Sequence, residues 1–369
     1  MRRRWHEKQK TQKAALKAKN MTKIKKVATV FLTAVFFTVI IINFSAAYAL
    51  SENSAEAAFR AVSEEKILIA AGVPFGVRLH TDGVIVVNLT AVGTGENAKY
   101  PSREAGLHKG DVIISVNGER VGSAKALCDA VSRSEGKELS LTVKHEGRDK
   151  NISVCPQKDG EVYKIGVLVR DNAAGIGTVT FIDPATGMFA GLGHGICDSE
   201  TGELIPISYG SCEDVTLTDI IKGKSGAPGE LRGFFSGKKT GKIIGNSFAG
   251  VFGALSSVPS ELSAEQFPAC GRGYAHNGKA YIYTTVDGEG RQKYEVSISA
   301  IDEGGAQKNF IVEVTDETLL SKTGGIVQGM SGSPIIQDGK LIGAVTHVLV
   351  GDPSRGYGIF IENMLAAAG

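Results

Sequence analysis

The chain has 369 residues, 42% of them hydrophobic and 22% charged, which is ordinary globular composition with room for two or three domains. Its 47 glycines against 10 prolines suit many tight turns between short strands and argue against a helical bundle or a collagen-like repeat. The formal charge of +2 hides a split, because residues 1–26 carry eleven Lys and Arg against one acid (net +10), leaving −8 for the other 343 residues, so the basic charge reads as a leader and nucleic-acid binding is not expected.

After this basic run, residues 27–50 contain no charged side chain. Their core, VATVFLTAVFFTVIIINF, is long enough for much of a bilayer, and the preceding Lys and Arg keep that side cytoplasmic. The stretch ends at Ala47-Tyr48-Ala49, a small-x-small pattern that suits signal peptidase. A cleaved signal and a retained anchor both fit, and either places residues 50–369 outside the cytoplasm. Residues 51–67 read as a polar linker.

Residues 68–157 read as a first domain of strands and one helix. GVPFGVRLH leads through a Thr81-Asp82-Gly83 turn into VIVVNLTAV. VIISV follows Gly110-Asp111, and Asn117-Gly118 marks a tight hairpin. SAKALCDAVSR has helical spacing, with Ala124, Leu127, Cys128 and Val131 on one face. Two alternating strands, ELSLTVKHEG and KNISVCPQ, close the block. This order resembles a circularly permuted PDZ domain, carried by the Phe75-Gly76 loop and by AGLHKGDVIISVNG. The resemblance implies peptide capture by strand addition along Pro74, Phe75, Gly76, Val77 and Arg78.

Residues 158–369 give many short strands separated by Gly, Asp, Asn and Pro, which suits two packed β-barrels or sandwiches. The five cysteines, Cys128, Cys155, Cys197, Cys212 and Cys270, are too few and odd in number for a dense disulfide framework. Cys197 and Cys212 are a candidate pair, and with His194 they form a weak zinc candidate; no metal or organic cofactor is expected.

Two segments in this region carry chemistry. His194 lies between glycines in GLGHGICD, which leaves its ring free to reach a cleft. Ser331 lies in GMSGSP, followed by the strand PIIQ, an Asp338-Gly339 turn and the strand KLIGAVTHV. This is similar to the nucleophile turn of chymotrypsin-like serine peptidases, where backbone N–H groups face the developing oxyanion. Gly329 and Ser331 are the donors that this layout selects. Of the seven histidines, His194 precedes Ser331 in the order such enzymes use. His347 can line a specificity pocket, and His276 lies in a hydrophilic loop. The carboxylate that would orient the histidine is less determined: Asp316 comes first, with Asp198, Asp214 and Asp219 as alternatives.

The basic leader, the apolar segment, the PDZ-like block, GLGHGICD, VTDETLLSKTGGIVQGMSGSPIIQDGKLIGAVTHV and DPSRGYGIFIENM together resemble the stage IV sporulation protein B serine peptidases of endospore-forming bacteria. The resemblance implies a mainly β fold: a signal or anchor helix, a permuted PDZ domain and a chymotrypsin-like double barrel. It implies His194, Ser331 and Asp316 as the catalytic set. It further implies an exported or membrane-anchored endopeptidase acting between the forespore and mother-cell membranes. Such an enzyme cleaves itself, which permits self-association, and then cuts a membrane-bound regulator of an intramembrane protease that processes a sigma-factor precursor. An envelope quality-control protease is one competing reading, although such enzymes usually carry the PDZ domain after the protease domain. A non-catalytic PDZ adaptor is the other, and the presence of both His194 and Ser331 weighs against it.

Overall fold

A computed structural model describes residues 66–368, with the exception of 146 and 200. The apolar segment 27–50 and most of the expected linker lie outside the described residues. Among those described, no helix is long and apolar enough to cross a membrane.

The architecture is organised by one long strand, β1 (Ile67–Leu89). Its near-continuous apolar run is explained by burial of both faces. Ile69 and Ala71 enter one core while Leu68 and Ala70 enter another. Farther along, Val84 and Val86 face one cluster while Ile85 and Val87 face a second. Alternate side chains of a strand point to opposite faces, so a strand between two cores must be apolar throughout. The expected Thr81-Asp82-Gly83 turn is instead an irregularity within β1. Pairing with the neighbouring strand skips from His80 to Ile85, and the Thr81 hydroxyl lies against the Gly83 and Asp171 carbonyls, 3.1 Å from the latter. Gly83, at φ +112, supplies the bend.

The PDZ-like part contains α1 (Pro101–Glu104), β2 (Val112–Val116), β3 (Glu119–Arg120), α2 (Ala124–Arg133), β4 (Leu139–His145) and β5 (Arg148–Val154). Asn117 and Gly118 both have positive φ, as a tight two-residue hairpin between β2 and β3 requires. Ser123 caps α2 by accepting from the Ala126 N–H. The buried face of α2 is Leu127 and Val131, with Ala126 and Ala130 beside them; Cys128 is exposed rather than inward. A small hairpin, β6 (Gln157–Asp159) and β7 (Val162–Lys164), follows.

The chain then forms β8 (Val167–Ile182), β9 (Met188–Gly191), β10 (Ile207–Ile221), β11 (Glu230–Ser247), β12 (Gly250–Leu255) and β13 (Gln266–Pro268). These join the PDZ-like strands in one sheet of order β10-β11-β12-β9-β8-β1-β2-β4-β5, and β10 pairs back onto β1. A closed barrel follows, of order β14-β15-β16-β19-β18-β17. It comprises β14 (Gly278–Thr284), β15 (Gln292–Ser299), β16 (Phe310–Val314), β17 (Pro334–Gln337), β18 (Lys340–Leu349) and β19 (Asp352–Phe360). Helix α3 (Glu317–Thr323) precedes the Ser331 turn, and α4 (Ile361–Ala368) covers a core with Ile361 and Met364. No disulfide joins Cys197 to Cys212: Cys197 is exposed, and Cys212 is buried in β10.

The strand pairing corrects the expected peptide groove. Pro74 to Arg78 face Thr178 to Ala174 of β8 on one edge, and Gly76 to Arg78 also face Glu213 to Ser211 of β10 on the other. Residues 76–78 therefore have no open edge for a peptide to extend. Phe75 is buried edge-on against Phe189, and Arg78 donates to Glu213 at 2.8 Å. Phe75→Ala is therefore expected to destabilise the fold by about 3–5 kcal/mol, measured by urea unfolding. A mutant of native stability that had lost only peptide capture would restore the groove assignment.

Candidate active site

The turn that carries Ser331 is held from two sides. From β8, the Thr178 N–H donates to the Ser331 carbonyl at 3.0 Å, and the Thr178 hydroxyl donates to the Gly329 carbonyl at 2.7 Å. From β18, the Val345 carbonyl accepts from the Gly332 N–H at 2.7 Å, and the Val345 N–H donates to the Ser333 carbonyl at 2.9 Å. Gly332 has φ +99, and a Cβ there would stand 2.0 Å from the Thr178 carbonyl oxygen. The glycine after Ser331 is thus required by both backbone angle and space.

Thr178 also positions the histidine loop, because its carbonyl accepts from the Leu192 N–H at 3.1 Å. Leu192 and Gly193 both have positive φ, which turns the chain sharply out of β9 and presents His194. A leucine in that region is uncommon and is held here by burial. His194 and Ser331 line the same cavity, of about 490 Å³, together with Gly329, Thr346 and His347.

The side chains rest in specific contacts. The Ser331 hydroxyl donates to the Thr346 carbonyl at 2.5 Å. His194 donates from Nδ1 to the Gly195 carbonyl at 2.9 Å, the assignment that leaves Nε2 unprotonated as a base. Its ring lies 4.6 Å from that of His347. Burial lowers the His194 pKa, partly offset by the Gly195 carbonyl. His347 is pushed down to about 4, first by burial and then by His194 and Lys308. The N–H groups of Gly329 and Ser331 donate to no protein acceptor among the described residues, so both donors are available to an oxyanion.

Asp316 is placed elsewhere. It is the N-cap of α3, accepting from the Leu319 N–H at 3.1 Å and from the Glu295 N–H at 3.4 Å. The sequence Asp-Glu-Thr-Leu-Leu followed by Gly324 at positive φ has the start and stop signals of a short helix, and capping holds the carboxylate there. The contact that orients His194 in this structure is the Gly195 carbonyl. The alternatives are engaged differently: Asp198 is buried and ion-paired with Arg170, while Asp214 and Asp219 are exposed. His276 is exposed and pairs with Asp338 at 2.7 Å. Thr178 and Thr346 carry no signal in the sequence, because their contacts with the Ser331 turn join segments far apart in the chain and are mostly made by the main chain.

Away from the cavity, buried Asp111 accepts from the His108 N–H at 2.9 Å and lies 2.5 Å from Nδ1 of His145, tying the turn before β2 to β4. Among the described residues, His108, Asp111 and His145 are the group whose ligand atoms could converge on a metal; Cys197, Cys212 and His194 form no such group.

Residues 161–365 match the family profile "SpoIVB peptidase S55", and residues 72–155 match the profile of a PDZ domain. Serine protease HTRA1 of Xenopus tropicalis is 41% identical over 58 residues, 16% of this chain and 12% of that protein. Regulator of sigma-W protease RasP of Bacillus subtilis (strain 168) is 40% identical over 65 residues, 17% of this chain and 15% of that protein. The chain thus spans well under two thirds of the length of these relatives. A crystal structure of the PDZ domain of the SdrC-like protein Lmo2051 from Listeria monocytogenes aligns with 24% of this chain and 87% of that one, at 21% identity and a TM-score of 0.20.

Two measurements check the side-chain assignments. Asp316→Ala is expected to lose about 1 kcal/mol of stability by removing the cap, whereas Asp316→Asn retains it; turnover per folded molecule separates capping from chemistry, and a fully folded Asp316→Asn with lost turnover would return the carboxylate to the catalytic set. For His347, a folded pKa below the unfolded value means that the unfolded chain binds the proton more readily. Its stabilising contribution is complete above about pH 6.5 and is lost as pH falls toward 4. The thermal midpoint should fall across that window in the wild type and less steeply in His347→Gln; identical acid limbs would exclude His347 as the source.

Proposed function

The chain belongs to the SpoIVB peptidase S55 family, and from that premise we propose that it is a serine endopeptidase in which Ser331 is the nucleophile and His194 the base. The observation that carries this reading is the convergence of His194, Ser331 and the two unspent N–H groups of Gly329 and Ser331 on one cavity.

The chemistry follows from these positions. The Ser331 hydroxyl turns from the Thr346 carbonyl toward His194 and gives up its proton as its oxygen attacks a peptide carbonyl. The N–H groups of Gly329 and Ser331 take the oxyanion. Protonated His194 then passes its proton to the departing amine, and water activated by neutral His194 hydrolyses the acyl-enzyme. The Gly195 carbonyl holds the imidazole in the tautomer that exposes Nε2. The lowered pKa of His194 keeps it in the base form at pH values where an ordinary histidine is already protonated.

Around this centre, the pairing of β1 with β10 supports a second barrel beside the closed one. Peptide capture, if it uses strand addition, needs an unpaired edge. Residues 167–170 of β8 pair with β1 on one side, and their Val167 and Val169 pack on the same core as α2, so this edge replaces residues 74–78 as the candidate. The family places the enzyme in regulated proteolysis during sporulation. The proposed substrates are the chain itself and a membrane-bound regulatory protein, met after export across the forespore membrane.

Ser331→Ala should fold normally and lose turnover by about 10⁶-fold. A serine-directed fluorophosphonate should label wild type at Ser331, located by peptide mass mapping. Substantial cleavage by purified Ser331→Ala would remove the nucleophile assignment.

A further inference from the structure

We propose that His108, Asp111 and His145 bind one divalent transition-metal cation, with Zn²⁺ the best fit to the donors. None of the three lines the Ser331 cavity, so the site stands apart from the peptidase chemistry.

The side chains come from two segments that the sheet brings together. His108 and Asp111 lie in the turn leading into β2, and His145 ends β4, which pairs with β2. One donor atom from each lies within 4.8 Å of the others. Zinc holds such donors at about 2.0–2.2 Å, which sets neighbouring atoms of a tetrahedral shell about 3.3 Å apart. Rotation of the exposed His108 and the half-exposed His145 closes the difference.

Asp111 is the fixed point of the group. Its side chain is 1% exposed. One carboxylate oxygen accepts from the His108 N–H at 2.9 Å, and the other lies 2.5 Å from Nδ1 of His145. The first contact orients the carboxylate as an outer hydrogen bond orients a metal ligand, and it survives metal binding. In the second, the cation takes the place of the proton, which moves to Nε2 of the same ring. The backbone is held as well: the Asp111 carbonyl accepts from the Val86 N–H at 2.8 Å, and the Gly110 N–H donates to the Val86 carbonyl at 2.9 Å.

The donors set the class of ion. Two imidazoles and one carboxylate suit zinc and its neighbours, whereas Mg²⁺ and Ca²⁺ demand shells of oxygen. The cation also gives a buried carboxylate the full counter-charge that a neutral imidazole does not. Three protein ligands leave the fourth position to water. Alternation along β4 turns Lys144 to the opposite face, where it lines a separate cleft with Ile85 and Val112. Arg148, opposite His145 in the β4–β5 register, is exposed, and its long stem lets the charge stand off in water.

The test strips the full chain with a chelator, dialyses it and titrates it with Zn²⁺ alone. One ion per chain should bind with a Kd of about 1 µM or tighter. His108→Ala keeps the residue-108 N–H that Asp111 accepts, and His145→Gln keeps a donor beside the carboxylate, so both should fold. Each should weaken zinc binding about tenfold or more. Zinc should raise the thermal midpoint of the wild type and do so less in either variant. His276→Gln alters a ring that pairs with Asp338 instead, and it should bind zinc as the wild type does. A smaller loss in either ligand variant would place the ion elsewhere and overturn the proposal. A wild-type chain that takes up no zinc at about 100 µM would overturn it too, and an equal midpoint shift with Mg²⁺ would overturn the choice of ion.

Discussion

Three hydrogen bonds of one residue hold the candidate active site together. Thr178 uses its N–H on the carbonyl of Ser331, its hydroxyl on the carbonyl of Gly329 and its carbonyl on the N–H of Leu192. The loop that presents His194 and the turn that presents Ser331 therefore hang from the same point on β8. Thr178 is itself fixed by its register opposite Pro74 in β1. Buried main-chain groups must find partners, and here the partners are chosen so that two distant segments, 137 positions apart between His194 and Ser331, keep a common geometry. Gly332 completes the arrangement, because only its missing Cβ lets the Ser331 turn approach the strand so closely.

The resting contacts of the site show how its reactivity is set. Ser331 shares its proton with a backbone carbonyl, and His194 is oriented by another. Two imidazoles lie against each other; burial discourages protonation of both, and His194 further discourages that of His347. A neutral imidazole can accept a proton, which is the property the proposed role of His194 requires. Neither the metal-capable group around Asp111 nor the ion pair of His276 with Asp338 touches this machinery.

The parts of the site legible in the sequence are those whose signals are local. GLGHG and GMSGSP announce sharp turns that bring His194 and Ser331 to the cavity, through Gly193, Gly329 and Gly332 at positive φ, and Asn117-Gly118 and Asp338-Gly339 announce hairpins by the same logic. What could not be read is decided by pairing partners far along the chain. Residues 74–78 have the composition of a peptide-binding loop, yet β8 pairs along all of them and β10 takes the other edge from Gly76 on. Thr81-Asp82-Gly83 looks like a reversal, yet β8 runs alongside both halves and keeps them in one strand. Asp316 shows the opposite case. Its local signal, a cap before a short helix, is the one the structure follows, and its carboxylate is not among the groups that line the cavity of His194 and Ser331. Cys128 was misplaced by one helical step, since spacing alone does not fix the angle at which a short helix meets its core.

The double pairing of β1 also bears on the order in which the chain can acquire structure. Arg78 meets Glu213 across 135 positions of sequence, within the register that joins β1 to β10. A chain emerging from the ribosome cannot close that contact until residue 213 has been made, and it cannot complete the wall behind Ser331 until β18 follows. Contacts of such separation carry a large loop-closure cost and form late. During synthesis the histidine loop would exist before its serine has a surface to dock on, and β8, which anchors both, pairs along β1, the first of the described strands and among the last to be fully paired. Assembly of the candidate site is thereby tied to the making of β18, about 150 positions after the loop that presents His194.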